Sequence, residues 1–356
     1  MRIVKPHRSP EPASEAPILE ADDVTVSFTA PGGGFLGLSK REVRAVNGVS
    51  LSVRRGETLG IVGESGSGKS TLGRALLGLE KVGSGHVTFD GIRVSDGRRA
   101  ALATLRRRTA MVFQDPANSL NPRLTVNETL AEVLRVHGKV PRGGEAARVA
   151  ELLSLVGLDP ALGDRRPRAL SGGQCQRVGI ARALAVEPDL VIADECIAAL
   201  DVSIQGQIIN LFLDLQERIG LTLVFIAHDL AIVRRLCDRV AVMYLGRIVE
   251  EGPTEAVFAA PRHPYTAALI AAIPEIDPDM RLPDAAMGGE PPSPMALPDG
   301  CAFHPRCAHA EEPCRTGAPP ILARRDGHGW ACILAPGTLL SPSPTPARHQ
   351  TLEISA

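Results

Sequence analysis

The fold of this chain is decided by one short stretch of sequence, Gly63-Glu64-Ser65-Gly66-Ser67-Gly68-Lys69-Ser70-Thr71. An apolar run at residues 58–62 precedes it and is typical of a buried strand, and residues 72–79 place apolar side chains at the spacing of one helix face. Backbone N–H groups of a glycine-rich loop between a strand and a helix can surround an anion, and the helix N-terminus adds partial positive charge. The stretch therefore predicts a phosphate-binding loop and, with it, a nucleotide site.

Two side chains of the phosphate-binding loop, residues 63–71, have separate expected roles. We expect Lys69 to reach the β- and γ-phosphates of the nucleotide and Ser70 to offer its hydroxyl to Mg²⁺. The other candidate nucleotide-binding residues are Gly63, Glu64, Ser65, Gly66, Ser67, Gly68 and Thr71. A chance glycine-rich turn is the alternative, and the flanking strand and helix count against it.

The composition limits the classes of protein to which the chain can belong. Its 356 residues allow roughly two to three domains, and a hydrophobic content of 44% is enough for a core. A formal net charge of −1 argues against nucleic acid as a partner. We find no apolar run of about 18 residues and no signal-peptide core, so we expect a soluble chain that reaches a membrane only through other proteins. Seven cysteines in such a chain favour a reducing compartment.

Changes of pattern along the chain predict its domain organisation. The predicted parts are a disordered lead (1–16), an α/β domain (17–258), a small cysteine-containing C-terminal domain (259–334) and a disordered tail (335–356). Within the α/β domain, early strand alternation indicates an antiparallel β subdomain. Residues 115–168 are predicted to be an inserted helical subdomain, in which Thr125 and Glu128 have the spacing of a capping box.

One aromatic residue near the start of the α/β domain has two possible roles. Val24, Val26 and Phe28 alternate with polar residues and are expected to point to the same side of a strand. Phe28 is a candidate for stacking on an adenine ring, and a core-facing position is an equal alternative.

Two carboxylates and a histidine follow apolar runs that predict buried strands. Asp194 and Glu195 end one such run, at the edge of an open α/β sheet where ligands bind. Asp194 therefore suits the Mg²⁺ shell, and Glu195 suits polarising an attacking water. His228 ends the next strand; a lone histidine there is more often structural than catalytic, but it belongs to the same predicted sheet.

Three further motifs complete the set. Gln114 ends a short strand that Pro116 stops. A Leu-Ser-Gly-Gly-Gln turn at residues 170–174 opens a helix and provides a second N-terminus suited to an anion. Leu200-Asp201 follows Glu195 at a short interval, before an amphipathic helix.

This set, in this order, resembles the nucleotide-binding subunit of ABC transporters over residues 18–258. The resemblance implies a P-loop NTPase (RecA-like) core within the predicted α/β architecture. More narrowly, the chain is similar to the F-type ATPase subunit of oligopeptide and dipeptide permeases, an ATPase that energises import. The stretches that carry this similarity are Phe113 to Pro122, Ser171 to Ala183, Leu200 to Gln205 and His263 to Leu269.

The resemblance implies a mechanism in which two such chains close face to face on two ATP molecules. Each ATP would lie between one phosphate-binding loop and the partner's signature turn, Ser171, Gly172, Gly173 and Gln174. Glu195 would orient water and His228 would contact the γ-phosphate. Gln114 would contact the Mg²⁺ that Ser70 and Asp194 bind, and Asp201 would lie across the dimer seam.

The same resemblance implies the partners and the location. The second ATPase would be a different, D-type chain, and a groove beside residues 115–168 would receive a short helix from one of two transmembrane permease subunits. A separate substrate-binding protein and the membrane subunits would choose the ligand, so peptides, nickel chelates and other small solutes are all compatible with this sequence. The chain would be a peripheral protein on the cytoplasmic face of the inner membrane.

The sequence departs from the family pattern directly after Glu195. The family usually has proline there, whereas this chain continues Cys196-Ile197-Ala198-Ala199. Without proline the backbone loses a fixed φ, which could leave the loop less rigid. Because Glu195 itself is present, we expect an active ATPase, with a slowed or silent site as the alternative.

The four C-terminal cysteines are candidate ligands for a metal ion or an iron–sulfur cluster. Cys301, Cys307, Cys314 and Cys332 have the spacing C-x5-C-x6-C-x17-C, which lacks the close pairs of structural zinc sites. Four thiolates are the usual complement of an iron–sulfur cluster, although the spacing is not that of a ferredoxin. The cysteine-containing C-terminal domain resembles that of the permease ATPases, and this resemblance implies a 4Fe-4S cluster. Bound zinc and unligated cysteines are the alternatives. The nearby histidines, His304, His309 and His328, could substitute as ligands, but histidines in loops are usually solvated and we expect the same here.

Two other functions fit parts of the sequence. A soluble ABC-type ATPase of a metabolic complex, like those of phosphonate degradation, resembles the same subgroup. An ABC ATPase of nucleic-acid repair would be expected to have two cassettes and zinc-finger insertions, whereas this chain has one phosphate-binding loop.

Overall fold

The computed structural model describes residues 16–31, 40–115, 119–141, 143–273, 289–335 and 337. The two segments predicted to be disordered, residues 1–16 and 335–356, lie almost entirely outside the described residues. Pro116, which is predicted to stop the strand that ends at Gln114, also lies outside them. None of the helices in the described ranges has the length and apolar character that crossing a membrane requires.

The described residues form strands and helices that alternate along most of the chain. The strands are β1 (Leu19–Pro31), β2 (Lys40–Val53), β3 (Thr58–Val62), β4 (Ser84–Phe89), β5 (Ile92–Arg93), β6 (Thr109–Val112), β7 (Leu190–Asp194), β8 (Leu223–Ala227), β9 (Arg239–Tyr244), β10 (Arg247–Pro253), β11 (Ala323–Arg325) and β12 (His328–Trp330). The helices are α1 (Lys69–Leu76), α2 (Arg99–Arg108), α3 (Val126–Val136), α4 (Glu145–Leu155), α5 (Gly172–Leu184), α6 (Val202–Ile219), α7 (Leu230–Leu236), α8 (Thr254–Ala259), α9 (Pro264–Ala271) and α10 (Glu312–Arg315). Short 3-10 helices lie at Pro160–Asp164, Pro167–Ala169 and His304–Arg306.

A mixed sheet forms the centre of the protein, in the order β11-β12-β10-β9-β3-β8-β7-β6. Strands β9, β3, β8, β7 and β6 run parallel, so their carboxyl ends meet at one edge. Strands β3, β7 and β8 are buried along their whole length, which explains their unbroken apolar sequence. This edge carries the phosphate-binding loop, the Asp194–Glu195 pair and His228.

A second, antiparallel sheet has the order β2-β1-β4-β5, as the early strand alternation predicts. It packs with α1 against one face of the central sheet, in an apolar core that includes Val24, Leu72 and Ile226. The helices after β6 pack in a separate core on the other face, which includes Leu130, Leu152 and Phe225.

The predicted capping box at the start of the helical segment is confirmed. The Glu128 N–H donates to Thr125 Oγ1 at 3.2 Å, and the Thr125 N–H donates to Glu128 Oε2 at 2.7 Å. Two N–H groups that a helix start leaves without partners are thereby satisfied.

The C-terminal segment joins the central sheet, which the sequence does not indicate. Strand β12 pairs antiparallel with β10, and β11 pairs with β12, so this hairpin extends the sheet edge. The expectation that His328 is solvated is wrong: its side chain is buried on β12, and its Nε2 lies 2.7 Å from Glu250 Oε1. A buried carboxylate needs such partners, and Glu250 is fully buried.

Candidate functional site

The phosphate-binding loop passes so close to neighbouring backbone that glycine is required at two positions. A Cβ at Gly63 would lie 2.1 Å from the carbonyl oxygen of Met243. A Cβ at Gly68 would lie 2.0 Å from the carbonyl oxygen of Ala45, and its φ of 100° is a conformation that glycine adopts without strain. The loop is therefore packed between β9 and β2, with its backbone fixed just before α1 begins.

Lys69 lies inside the curve of this loop and is 3% exposed. Its Nζ donates to the carbonyl oxygens of Gly63 and Glu64, both at 2.8 Å. Burial lowers the pKa of Lys69, and nearby carboxylates, with Glu195 the strongest, oppose that effect. The first N–H groups of α1, which have no intrahelical partner, begin at the same residue. A buried ammonium group beside free amides is an arrangement suited to phosphate.

Ser70 and Asp194 form an oxygen pair beside the loop. The Ser70 hydroxyl donates to Asp194 Oδ1 at 2.7 Å, and Arg74 lies 3.9 Å from the other carboxylate oxygen. Burial raises the pKa of Asp194, while its bond to Ser70 lowers it. A hydroxyl and a carboxylate side by side are ligands that Mg²⁺ accepts, so the residues present fit the predicted magnesium site.

Glu195 is held in an unusual backbone conformation next to this pair. Its φ is 44°, and its N–H donates to the carbonyl oxygen of Ile226 at 3.0 Å. Its carboxylate accepts from Gln114 Nε2 at 3.0 Å and lies 3.9 Å from Lys69 Nζ. A non-glycine residue in the left-handed region costs conformational energy, and such residues concentrate at functional sites. The structure thus brings Glu195, Gln114, Lys69 and Asp194 together.

The loop that lacks the family's proline after Glu195 is fixed by other contacts. Cys196 and Ile197 are buried, at 1% and 4% exposure. Gln205 Nε2 donates to the carbonyl oxygens of Ile197 at 3.1 Å and Leu200 at 3.0 Å. Buried side chains and these two hydrogen bonds limit the motion that a missing proline would otherwise allow.

The signature turn lies apart from the phosphate-binding loop. Ser171 caps α5: the Gln174 N–H donates to its Oγ at 3.2 Å, and the Ser171 N–H donates to Gln174 Oε1 at 2.9 Å. Ser171 and Gly172 are exposed, whereas Gly173 is buried against Ile204. Within the described part of the chain, no hydrogen bond or ion pair joins this turn to the phosphate-binding loop.

Three other predicted site residues, Asp201, His228 and Phe28, are exposed. Asp201 lies at the N-cap position of α6 and His228 at the end of β8. Phe28 is 41% exposed, in contrast to Val24 and Val26, which are buried. The core-facing alternative for Phe28 is therefore wrong, because β1 continues beyond the core; adenine stacking stays a prediction.

Comparisons with known proteins agree with this geometry. A family model described as ABC transporter matches residues 46–198, and one described as oligopeptide/dipeptide transporter, C-terminal region, matches residues 249–314. A probable peptide ABC transporter ATP-binding protein of Sinorhizobium fredii is 47% identical over 92% of this chain and 93% of its own length. The chain belongs to the family of ABC transporter ATP-binding proteins. A putative peptide import ATP-binding protein of Brucella abortus is 48% identical, over 85% of this chain and 90% of its own.

Solved structures of ABC cassettes share the fold. The cbiO1 protein of Clostridium perfringens, part of the ABC transporter complex cbiONQ, is 33% identical with a TM-score of 0.59, covering 69% of this chain and 92% of its own. The ATP-binding cassette MJ0796, solved as a dimer bound to ADP and Pi, is 32% identical with a TM-score of 0.58, covering 66% and 98%. The predicted α/β P-loop fold is confirmed, and as an ABC ATPase the chain uses ATP and Mg²⁺.

The C-terminal cysteines of this ABC ATPase come near one another. The backbone N–H of Cys301 donates to the carbonyl oxygen of Cys314 at 2.9 Å. Burial raises the pKa of Cys332 to about 11, and the thiols of Cys301, Cys307 and Cys314 add to the effect. In the described residues, no three His, Cys, Asp or Glu side chains are placed to hold a single metal ion. Neither the predicted 4Fe-4S cluster nor the zinc alternative is shown by this arrangement of the described residues.

The ABC cassette also contains contacts that the sequence pattern did not reveal. Arg306, from the cysteine-containing tail, forms two hydrogen bonds with the Glu64 carboxylate, at 2.8 and 2.9 Å. The Glu64 N–H donates to the hydroxyl oxygen of Tyr265 at 2.9 Å. Tyr265 belongs to the stretch His263 to Leu269, and Arg306 directly precedes Cys307. No local signal connects them to the phosphate-binding loop, because more than 200 residues separate them from it.

Proposed function

We propose that this chain is the ATP-hydrolysing subunit of an importer for oligopeptides or dipeptides. It would lie on the cytoplasmic face of the inner membrane, bound to two transmembrane permease subunits that receive cargo from a substrate-binding protein. The observation that carries the proposal is that one chain contains two features. The first is the set of ATPase residues at the carboxyl edge of the central sheet. The second is the oligopeptide-transporter C-terminal region, which contacts the phosphate-binding loop. Its relatives in Sinorhizobium and Brucella are named for peptide transport or import.

The chemistry follows from the groups gathered at the sheet edge. Lys69 and the α1 amides would neutralise the phosphates, while Ser70, Asp194 and Gln114 would hold Mg²⁺, which polarises the γ-phosphate when bound. Glu195 would accept a hydrogen bond from the attacking water and orient it. Its strained backbone and its bond to Gln114 support this role, since both fix the carboxylate. His228 would contact the γ-phosphate.

The other half of each ATP pocket would come from a second ATPase subunit. The exposed Ser171 and Gly172 lie at the N-terminus of a helix of 13 residues, where partial positive charge favours an anion. Nothing in the described residues of the same chain joins this turn to its own loop, which supports its use by a partner. Asp201 would contact that partner across the seam. We expect the partner to be a different, D-type chain.

Reconstitution in vesicles tests the proposed function. We expect the chain, assembled with its two permease subunits and second ATPase, to take up a mixture of labelled short peptides with ATP and not with ADP. The matched control is the same assembly carrying Glu195→Gln, which should take up none. Recovery of the chain only with soluble enzymes, and never with membrane subunits, would favour a soluble metabolic ATPase and contradict the proposal.

We also propose that the four tail cysteines hold a 4Fe-4S cluster. Such a cluster uses one thiolate for each of four irons, so its ligands do not need to converge on one ion. The backbone N–H groups of Phe303, His309 and Leu334 oppose the effect of burial on the pKa of Cys301, Cys307 and Cys332, respectively. In each case the amide lies two residues after the cysteine and would stabilise the thiolate form. These amides support the proposal that the cysteines bind a cluster.

Anaerobic purification tests the cluster. We expect brown protein with broad visible absorption and about four iron atoms per chain. Cys307→Ser should lose the colour, whereas Cys237→Ala, a buried cysteine of the ATPase core, should keep it. Colourless protein with one zinc per chain would show that this proposal is wrong.

A further inference from the structure

Residues of the C-terminal domain contact the phosphate-binding loop at Glu64, through both its side chain and its backbone. Arg306 binds the side chain through both guanidinium nitrogens, at 2.8 and 2.9 Å. Tyr265 accepts the backbone N–H at 2.9 Å. Both the carboxylate and the backbone of the second loop residue are thus fixed by residues that follow the ATPase core in the chain.

The ion pair is shielded from water on the arginine side. The Arg306 side chain is 6% exposed and that of Glu64 is 26% exposed. The hydrogen bonds from Arg306 to Glu64 raise the pKa of the guanidinium group. Pairing through two parallel N–H···O bonds fixes the direction of the guanidinium group as well as its charge.

An aromatic cluster that includes Tyr265 packs beside Arg306 and positions both residues. The rings of Tyr244, Tyr265 and Phe303 pack with centroids 4.6 to 5.4 Å apart. The Arg306 guanidinium lies 6.0 Å from the ring centroids of Tyr244 and Phe303. Because Tyr244 ends β9, the cluster connects the C-terminal domain to the strand that pairs with β3, after which the loop begins.

The His-Pro-Tyr segment is fixed at its other end by a buried carboxylate. His263 Nδ1 accepts the Tyr265 N–H at 3.1 Å, and the His263 N–H donates to Glu250 at 2.9 Å. Burial lowers the pKa of His263 to about 4, so the ring is neutral and its Nδ1 acts as an acceptor. The segment therefore sets the position of Tyr265 through a capping bond, with Pro264 starting the helix.

A carboxylate in a loop that binds a triphosphate would repel the ligand unless it is neutralised. Glu64 and Lys69 belong to the same loop, and the Glu64 charge acts on Lys69. We propose that Arg306 and Tyr265 are positioning residues for ATP: Arg306 neutralises the Glu64 carboxylate and Tyr265 fixes the backbone of the loop before the nucleotide arrives. Such preorganisation lowers the entropic cost of binding. The proposal requires that the chain binds ATP, and it is independent of which solute is imported.

Titration of the purified full-length chain with Mg-ATP tests this role. We expect Arg306→Gln to raise the Kd for ATP about five- to tenfold, because Glu64 is then left unpaired beside the phosphates. Glu64→Gln combined with Arg306→Gln should return the Kd to within about twofold of wild type, because the repelling charge is gone. The Kd of Arg306→Lys should lie between the values for wild type and Arg306→Gln, because lysine keeps the positive charge but cannot form the paired hydrogen bonds.

The matched control is Arg324→Gln, another tail arginine, which pairs with Glu251 of the sheet and not with the loop. It should leave both the Kd for ATP and the hydrolysis rate of the assembled transporter at saturating ATP unchanged. Tyr265→Phe, which removes only a hydroxyl, should raise the Kd about two- to fivefold and serves if Arg306→Gln does not fold. An unchanged Kd in Arg306→Gln, or in Tyr265→Phe where only that variant folds, would overturn the proposal. So would a rise that Glu64→Gln fails to reverse.

Discussion

Replacing Glu195 by glutamine is expected to slow ATP hydrolysis at least about 100-fold while leaving ATP binding intact. Glutamine has the shape of glutamate but cannot accept a proton or orient water as a carboxylate does. The amide also loses the electrostatic attraction to Lys69, whose Nζ lies 3.9 Å from Glu195. The measurement is phosphate release by the assembled transporter at saturating Mg-ATP, beside the Kd for ATP of the isolated chain.

Glu187→Gln is a matched control for this change. Glu187 also has a positive φ, 51°, but its half-exposed side chain pairs with Lys139 and Arg148 on the surface. Its replacement should leave phosphate release unchanged. Equal rates for wild type and Glu195→Gln would show that this site contributes no hydrolysis, as expected if the sequence departure at Cys196 had silenced it.

Replacing Lys69 by alanine is expected to weaken ATP binding about 100-fold and to abolish hydrolysis with it. The ammonium group is buried and already placed by the Gly63 and Glu64 carbonyls, so it meets the phosphates with little loss of entropy. Its removal leaves the phosphates facing Asp194 and Glu195 without the opposing charge. Equilibrium titration with Mg-ATP measures the change.

Lys139→Ala, which removes a surface lysine paired with Glu187, should bind ATP as the wild type does. Lys69 also donates hydrogen bonds to two loop carbonyls, so its loss could affect folding. The stability of Lys69→Ala should therefore be compared with that of wild type by thermal unfolding without nucleotide. A folded Lys69→Ala chain that binds ATP with wild-type affinity would contradict the assignment of the loop.

Local patterns in the sequence predicted the elements that create the ATPase edge. The apolar run before Gly63 predicted β3, and the helical spacing of the apolar residues after the loop predicted α1. The run that ends at Asp194 gave β7, and parallel strands bring their carboxyl ends to one edge. The capping box at Thr125 has the same local origin. Each of these features depends on residues only a few positions apart.

Contacts between distant segments could not be predicted in this way. Arg306 lies 242 residues from Glu64, and the β11–β12 hairpin joins the sheet beside β10. The burial of His328 follows from this pairing and not from its neighbours in sequence. The exposure of Phe28 depends on where β1 leaves the core, which alternation alone does not indicate.

One chain is proposed to contain half of each ATP pocket, and the partner's signature turn to complete it. This arrangement is most directly tested by light scattering of Glu195→Gln mixed with its second ATPase subunit. With Mg-ATP the account predicts a stable pair of cassettes, held by phosphates between one chain's loop and the other's Ser171 turn, and with ADP separate chains. Tight ATP binding without any pairing would contradict it.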